Sequence, residues 1–270
     1  MMQVFMGKGG VGKSTLACAF SLALARKGKV GLLSLDPMSN LGDILEEEVG
    51  RGIMLGDLYV REVDVDAAAA AYLKKVNGEV KRSYRYLSAF NLDKRMDAIK
   101  LTPGIEEHVL LEEMTSFLRE DFETIVVDMP PAGMALRILA LPYTEESWLS
   151  SLIELRTDIV RKRAAISKIS GLTAEEDEVL KRLFIMRTRE LEFLELLRNS
   201  RYYVVKTPDV LAERESGRIK DSLWRMGLEN VQDVLNMCDN DGDFAVQRLS
   251  FEPRGIENLS LLGVERWLQS

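Results

Sequence analysis

Residues Met6–Thr15 have the sequence MGKGGVGKST. Gly7, Gly12, Lys13 and Ser14 fall on the pattern G-x-x-x-x-G-K-[ST], which is typical of a phosphate-binding loop. Glycines let the backbone turn its N–H groups toward a polyphosphate, and the helix that follows adds the positive end of its dipole. The stretch therefore predicts that Lys13 contacts the β- and γ-phosphates of a nucleotide and that the Ser14 hydroxyl binds Mg²⁺.

The segments on either side of the loop agree with this interpretation. Gln3–Met6 is a short apolar run suited to a buried strand, and Leu16–Arg26 is an uninterrupted run of helix formers. Strand, glycine turn and helix together are the context that such a loop requires. We therefore expect the nucleotide to be bound by Gly7, Gly9, Gly10, Val11, Gly12, Lys13, Ser14 and Thr15.

A second lysine, Lys8, follows the first glycine of the loop. The resulting pattern K-G-G-x-G-K-[ST] resembles the deviant loop of the ATPases that include the partition and Min proteins, nitrogenase iron protein and the arsenite-pump ATPases. That resemblance implies a homodimer in which Lys8 reaches the partner's nucleotide and acts in catalysis, because a cation stabilises charge on a transferring phosphoryl group. The alternative is that Lys8 is a solvated loop charge.

Composition limits the classes of function. The chain has 270 residues, with 36 basic and 43 acidic residues and a net charge of −7, which disfavours a general nucleic-acid binder. Cys18 and Cys238 form no C-x-x-C pair, so neither a disulfide framework nor a structural zinc site within one chain is expected. The absence of a long apolar run and of a signal-peptide pattern predicts a cytoplasmic protein. The single histidine, His108, has no partner histidine and is interpreted as structural.

Two further buried strands are expected to end in carboxylates. Lys29–Leu35 leads to Asp36, and the run 121–127 leads to Asp128. Ligands bind at the carboxyl ends of parallel strands. Asp36 can orient or deprotonate the attacking water or help hold Mg²⁺, although an aspartate before proline can also simply begin a turn. Asp128 has the position of a Walker-B aspartate, which binds Mg²⁺ directly or through water.

The rest of the chain divides into helical and strand-like regions. Residues 46–120 carry mostly helical signals, and 145–200 are helical with a predicted break at 170–173. Strand 201–208, helix 209–225 and a last strand 233–237 follow. Two apolar stripes lie on the helix before residue 200, which indicates burial between helices, a dimer contact or an exposed surface for a client. The first stripe is Leu180, Leu183, Phe184, Leu191 and Leu194, and the second is Met186, Phe193 and Leu197.

Four motifs resemble those of the arsenite-pump and tail-anchored-protein-targeting ATPases. Residues 128–142, DMPPAGMALRILALP, resemble the family's switch II, and Asp36–Asp43, DPMSNLGD, its switch I. Residues 103–107, PGIEE, and 252–259, EPRGIENL, resemble two more. Departures occur in switch II, where the family's histidine and two threonines are replaced by Met134, Met129 and Ala132. The family's arsenite-binding cysteines and zinc-binding C-x-x-C have no counterpart, so neither arsenite activation nor a zinc-clamped dimer is expected.

The resemblance implies further site residues and a fold. Asn236 corresponds to an adenine-reading asparagine, and Arg254 to a loop residue that covers the base. The fold implied is a single α/β domain over 1–270, a doubly wound, mostly parallel sheet of the P-loop NTPase type with an inserted helical subdomain. Its core is expected at about 1–45, 121–142 and 201–258. The helical subdomain is expected at about 46–120 and 143–200.

The function implied is an ATP-hydrolysing dimeric switch that uses ATP and Mg²⁺. Closure of the homodimer would create a surface for a hydrophobic client such as a membrane-protein segment, or for a membrane partner. One alternative is a positioning ATPase of the partition or Min kind, and another is an anion-pump subunit without the arsenite cysteines. An electron-transfer iron protein would need cluster thiolates from Cys18 or Cys238, whose settings suit packing better.

Overall fold

The computed structural model describes residues 1–38, 40–83, 104–170, 177–239 and 242–268. The chain forms two compact units. The first consists of Met1–Ile138 and Asn199–Ser270, and the second of Leu139–Arg198.

An eight-stranded sheet forms the centre of the first unit. In chain order the strands are β1 (Met2–Gly7), β2 (Val30–Ser34), β3 (Ile53–Leu55), β4 (Leu58–Glu62), β5 (Thr124–Asp128), β6 (Arg201–Lys206), β7 (Val231–Cys238) and β8 (Ala245–Gln247). Their order in the sheet is β3-β4-β2-β5-β1-β6-β7-β8. The pair β3–β4 is antiparallel and the other neighbouring pairs are parallel. The predicted fold class, a mostly parallel α/β sheet of the P-loop NTPase type, is confirmed.

Helices connect these strands. They are α1 (Lys13–Ala25), α2 (Leu41–Leu45), α3 (Val65–Ser83), α4 (Ile105–Phe117), α5 (Ala132–Ser170), α6 (Glu178–Arg198), α7 (Val210–Arg225) and α8 (Gly255–Ser260), followed by a 3₁₀ helix over Val264–Leu268. Asp209 caps α7 because its carboxylate accepts hydrogen bonds from the N–H groups of Leu211 and Ala212. This cap marks the start of the helix that the sequence predicts to follow Pro208.

The three strands predicted to be buried occupy the middle of the sheet. Every residue of β1 and β2 is buried, as are the last four residues of β5. Continuous apolar runs of this kind suit parallel strands that are covered on both faces. Because β1, β2 and β5 run parallel, their carboxyl ends bring the loop after β1, Asp36 and Asp128 to one edge of the sheet.

The expectation of mostly helical structure over 46–120 is wrong for residues 53–62. These residues form β3 and β4, and β4 pairs with β2. The charges of Arg61 and Glu62 at the end of β4 are not typical of a buried strand, so the sequence did not predict this one. In the fold, Arg61 forms an ion pair with Glu120, and Glu62 accepts a hydrogen bond from the N–H group at the start of α2. The sheet therefore extends beyond the bounds proposed for the core. The predicted helix break at 170–173 lies almost entirely outside the described residues.

An aromatic cluster packs α1 against the sheet. Phe5 of β1 and Tyr203 of β6 stack at 4.8 Å between ring centroids, and Phe20 of α1 lies 5.6 Å from Phe5. Trp267 of the 3₁₀ helix completes the cluster, 5.9 Å from Phe20. These four side chains are almost completely buried. The end of the chain thus packs against the helix that follows the phosphate-binding loop.

The second unit consists of the residues of α5 from Leu139 onward and of α6. Arg156 donates two hydrogen bonds, of 3.0 and 2.8 Å, to Asp177, and Arg187 donates one of 2.9 Å to Glu146. Its buried apolar side chains within the described residues include Leu139, Leu149, Ile153, Leu194 and Leu197. None of the helices in the described ranges is both long enough and apolar enough to span a bilayer.

Neither predicted apolar stripe of α6 is uniformly buried. Leu194 of the first stripe and Leu197 of the second are buried, whereas Phe184 and Met186 are 48% and 52% exposed. Several other large apolar side chains of this unit also face solvent: Trp148, Leu155, Val179, Ile185 and Leu191. Simple core packing therefore accounts for only part of each stripe.

Candidate nucleotide-binding site

The phosphate-binding loop joins β1, which ends at Gly7, to α1, which begins at Lys13. A side chain at position 7 would collide with the Val205 carbonyl of β6, so only glycine permits this approach. Gly12 caps α1 in the left-handed conformation, with φ of 86°, which is costly for residues with a side chain. Val11 belongs to the hydrophobic core and anchors the loop to the sheet.

Lys13 is 5% exposed, and its Nζ lies 3.7 Å from Asp36 Oδ2. A buried ammonium needs a compensating negative charge, and here Asp36 supplies it. The structure thus brings together two of the three predicted catalytic residues, one from the loop after β1 and one from the end of β2. A nucleotide's phosphates would offer Lys13 a second anionic partner.

Asp128 at the end of β5 is fully buried. Its Oδ2 accepts a hydrogen bond of 3.3 Å from Ser34 Oγ. Burial raises the pKa of Asp128 to about 6, although Lys13 and the hydroxyls of Ser14 and Ser34 act in the opposite direction. Its Oδ1 has no hydrogen-bond partner. A buried carboxylate oxygen without a partner is normally explained by a bound water, ion or ligand.

The predicted metal ligands, Ser14, Asp36 and Asp128, offer a hydroxyl and two carboxylates near Lys13. Mg²⁺ prefers oxygen ligands, and proteins usually bind it through one or two carboxylates together with substrate phosphates. The Oδ1 atom of Asp128 has no hydrogen-bond partner and is therefore available as an oxygen ligand. Within the described residues, no group of three or more His, Cys, Asp or Glu side chains could hold a metal ion. The residues present therefore fit a Mg²⁺ ion that phosphates help to coordinate.

A cleft of about 960 Å³ opens beside the loop. Nine of the predicted site residues line it: Gly9, Gly10, Gly12, Lys13, Ser14, Thr15, Asp36, Asn236 and Arg254. Asn236 is 5% exposed and donates a hydrogen bond of 2.8 Å to the Val11 carbonyl. Arg254 is paired with Glu252 at 2.8 Å. Gly7, Val11 and Asp128 are buried and are not among the lining residues.

Lys8 does not line the cleft of its own chain. Its Nζ lies 3.9 Å from Glu215 Oε2 of α7, and both side chains are about two fifths exposed. A surface pair of this kind contributes little to stability, so Lys8 is easily released from it. Of the three predicted catalytic residues, the structure brings together Lys13 and Asp36 and places Lys8 apart.

Sequence reasoning missed two polar residues that hold this edge of the sheet. Ser34, 1% exposed, donates to Asp128 and accepts from the Asp36 N–H at 3.4 Å, so it joins the two carboxylate-bearing residues. Glu62 at the end of β4 accepts a hydrogen bond from the Leu41 N–H at the start of α2. A single serine at the end of an apolar strand is the signal that could have identified Ser34. Glu62 carried no such signal, because its strand was predicted to be helical.

Comparison with known proteins yields one family. The profile of the anion-transporting ATPase family matches residues 1–243. A putative arsenical pump-driving ATPase 2 of Aquifex aeolicus is 29% identical over 87% of this chain and 80% of its own length. ATPase GET3B of Arabidopsis thaliana is 26% identical over 85% of this chain and 62% of its own length. The arsenical pump-driving ATPase of Escherichia coli is 27% identical over 86% of this chain and 38% of its own length.

The chain therefore spans four fifths of the first relative and less than two thirds of the other two. The match begins at residue 1 and includes the phosphate-binding loop, Asp36, Asp128 and Asn236. The resemblance to arsenite-pump and tail-anchored-protein-targeting ATPases, drawn from four motifs, is confirmed. So is the assignment to the class of ATPases. The chain belongs to the anion-transporting ATPase family.

Proposed function

We propose that this chain binds MgATP in the cleft beside the phosphate-binding loop and hydrolyses it. The observation that carries the proposal is the convergence of Lys13, Asp36 and Asp128 at one edge of the sheet. Lys13 and Asp36 form a buried ion pair at 3.7 Å, and Asp128 keeps one buried oxygen without a partner. A cation, a carboxylate near solvent and a Mg²⁺-binding carboxylate are the groups that phosphoryl transfer to water requires.

Each of these residues would have a separate role. Lys13 and the backbone N–H groups of the loop would neutralise the phosphates, and Ser14 and Asp128 would hold Mg²⁺, which would supply positive charge to stabilise the transferring phosphoryl group. Asp36 would orient the attacking water or accept its proton. Because phosphates would pair with Lys13, the Asp36 carboxylate would be released from that lysine and could contact water.

Hydrolysis would be coupled to a homodimer that closes on ATP. Lys8 supports this part of the proposal, because it lies outside its own cleft and forms an exposed ion pair with Glu215. Across a dimer seam it would contact the partner's phosphates, and ADP would leave the dimer open. We place such a switch in the cytoplasm, as the sequence predicts.

The client would be a hydrophobic segment, such as a membrane-protein helix. Support comes from the second unit, where Trp148, Leu155, Phe184, Ile185 and Met186 are each about half exposed or more. Apolar side chains exposed in such number are typical of a binding surface. An anion-pump role that depends on arsenite thiolates finds less support, since Cys18 and Cys238 are both buried.

The experiment that tests the proposal is ATP turnover by the purified chain and its Lys13→Ala variant. We expect the variant to lose turnover by at least about 100-fold, because removal of one preorganised charge at a transferring phosphate costs this much. Lys27→Ala, an exposed lysine at the end of α1, is the matched control and should turn over ATP normally. Equal turnover by Lys13→Ala and the unmodified chain would contradict the proposal.

A further inference from the structure

The Asn236 side chain, near the end of β7, links this strand to the phosphate-binding loop. Its Nδ2 donates a hydrogen bond of 2.8 Å to the Val11 carbonyl, which is 225 residues away in the chain. The side chain is 5% exposed, so water does not compete freely for this bond. Val11 is itself buried in the core. Asn236 therefore ties the end of β7 to the phosphate-binding loop at Val11.

The amide orientation of Asn236 follows from both of its partners. Nδ2 faces the Val11 carbonyl, an acceptor, while Oδ1 accepts a hydrogen bond of 2.9 Å from the Met237 N–H. Met237 adopts a left-handed conformation, with φ of 55°, which is unfavourable for a residue with a side chain. The hydrogen bond to Asn236 Oδ1 supports this turn. Both ends of the amide are thus engaged within the protein.

Gly12 gives a second contact between Asn236 and the loop. A side chain at position 12 would overlap the Asn236 amide nitrogen, so the amide lies directly against the glycine backbone. Gly12 immediately precedes Lys13, whose ammonium and N–H belong to the proposed phosphate site. The Asn236 amide is therefore in contact with the residue that sets the direction of the first N–H groups of α1.

We propose that Asn236 is a positioning residue for the phosphate-binding loop, and that it raises affinity for the polyphosphate independently of any contact with the base. By holding the Val11 carbonyl, it keeps the following N–H groups directed at the phosphates before the nucleotide arrives. Preorganised donors of this kind bind more tightly because their orientation costs nothing at the moment of binding. The inference rests on the proposed function of the cleft as an ATP site.

Binding of magnesium tripolyphosphate, a ligand without base or sugar, separates the two roles. Isothermal titration of the unmodified chain and of Asn236→Ala would use ATP, GTP and tripolyphosphate, each with Mg²⁺. We expect Asn236→Ala to weaken tripolyphosphate and ATP alike by about five- to tenfold, the effect of one lost hydrogen bond.

Asn230→Ala is the matched control, because Asn230 also carries an amide but is exposed directly before the start of β7 and does not line the cleft. It should leave tripolyphosphate affinity unchanged. Asn236→Leu, which keeps the side-chain volume, gives the same comparison if the alanine variant does not fold. Hydrogen exchange of the peptide that contains Val11 and Gly12 should be faster in either Asn236 variant.

A loss of tripolyphosphate affinity below about threefold would overturn the inference. If ATP affinity fell and the ATP preference disappeared while tripolyphosphate bound normally, Asn236 would be a base-reading residue. If the unmodified chain bound neither ATP nor tripolyphosphate, the proposed function would fail together with the inference. If only the Asn236 comparison failed, the ATP site itself would stand.

Discussion

At the scale of single residues, Asp36 has two possible partners, the Lys13 ammonium and a water molecule in the cleft. The structure shows the first contact, at 3.7 Å. Asp36 side-chain exposure is 10%, and the residue lines the cleft, so the second contact is open to it once Lys13 turns to phosphates. The Asp36 carboxylate, already held beside the cleft, would then act on the water molecule.

Asp36→Asn should bind ATP with nearly normal affinity and hydrolyse it at least about 100-fold more slowly. The amide keeps the shape of the side chain but cannot accept the proton of the attacking water, a contribution worth about 10²- to 10⁴-fold. Single-turnover hydrolysis and titration of ATP would measure the two effects. Asp57→Asn, an exposed aspartate before β4, is the control for the charge change. Normal turnover with impaired ATP binding would assign Asp36 a structural role instead.

Most of the candidate site could be predicted from single residues because its motif has fixed spacing. Lys13 and Ser14 follow from the glycine pattern, and Asp36 and Asp128 from their places after apolar strands. The contact between Asn236 and Val11 could not be predicted, because the two residues are 225 positions apart and no sequence pattern includes both. Ser34 escaped for a related reason, because its hydroxyl acquires a role only when β2 and β5 pair.

At the scale of secondary-structure elements, an ion-pair cluster joins α7 to β6 and β7. Asp233 of β7 accepts hydrogen bonds from Lys220 at 2.7 Å and from Lys206 at 3.3 Å, and Lys206 also pairs with Glu213 at 2.7 Å. Burial alone would raise the pKa of Asp233, but the hydrogen bond from Lys220 and the charge of Lys206 outweigh it and lower that pKa. The folded state therefore favours the ionised carboxylate.

Asp233→Asn should reduce the free energy of unfolding by about 1–2 kcal/mol at neutral pH, a value discounted for partial exposure. Since the folded pKa lies below the unfolded value of about 3.9, this contribution is complete above about pH 5 and is lost as the pH falls through the folded pKa. Urea unfolding at pH 7 and pH 3.5 would measure the difference between variant and unmodified chain. A difference that stayed constant over this range would contradict the ionic assignment.

The aromatic cluster behind α1 gives a second prediction at this scale. Trp267→Ala should cost about 3–5 kcal/mol of unfolding free energy, because it leaves a cavity between Phe20 and Tyr203. Trp224→Ala is a matched control on the surface of α7, 53% exposed, and should change stability by less than about 0.5 kcal/mol. Thermal unfolding of both variants would test this. Equal effects would show that the last helix contributes little to the core.

Element types were predictable where one period dominated the sequence. The buried strands β1, β2 and β5 show continuous apolar runs, and α7 begins at an aspartate cap. β3 and β4 were missed because they are short and because Arg61 and Glu62 bring charges into the end of β4. Arg61 lies 4.7 Å from the Phe117 ring centroid and pairs with Glu120, so its charge is used inside the fold.

At the scale of the whole molecule, the proposed function is that of a nucleotide switch built from two copies of the chain. Nucleotide site residues lie in the unit that contains the sheet, and exposed apolar side chains are numerous in the unit Leu139–Arg198. The sequence could predict both features separately. It could not predict which residues of each α6 stripe are exposed, since helical periodicity identifies a face but not what covers it.

The central claim, closure of a homodimer on ATP with Lys8 in the seam, is tested most directly by molar mass in solution. Light scattering with a nonhydrolysable ATP analogue and Mg²⁺ should give twice the 30.5 kDa of one chain. Lys8→Ala should remain monomeric with the analogue while still binding it, and the exposed-lysine control Lys27→Ala should dimerise. A Lys8→Ala variant that dimerises as the unmodified chain does, or an unmodified chain that stays monomeric with the analogue, would contradict the account.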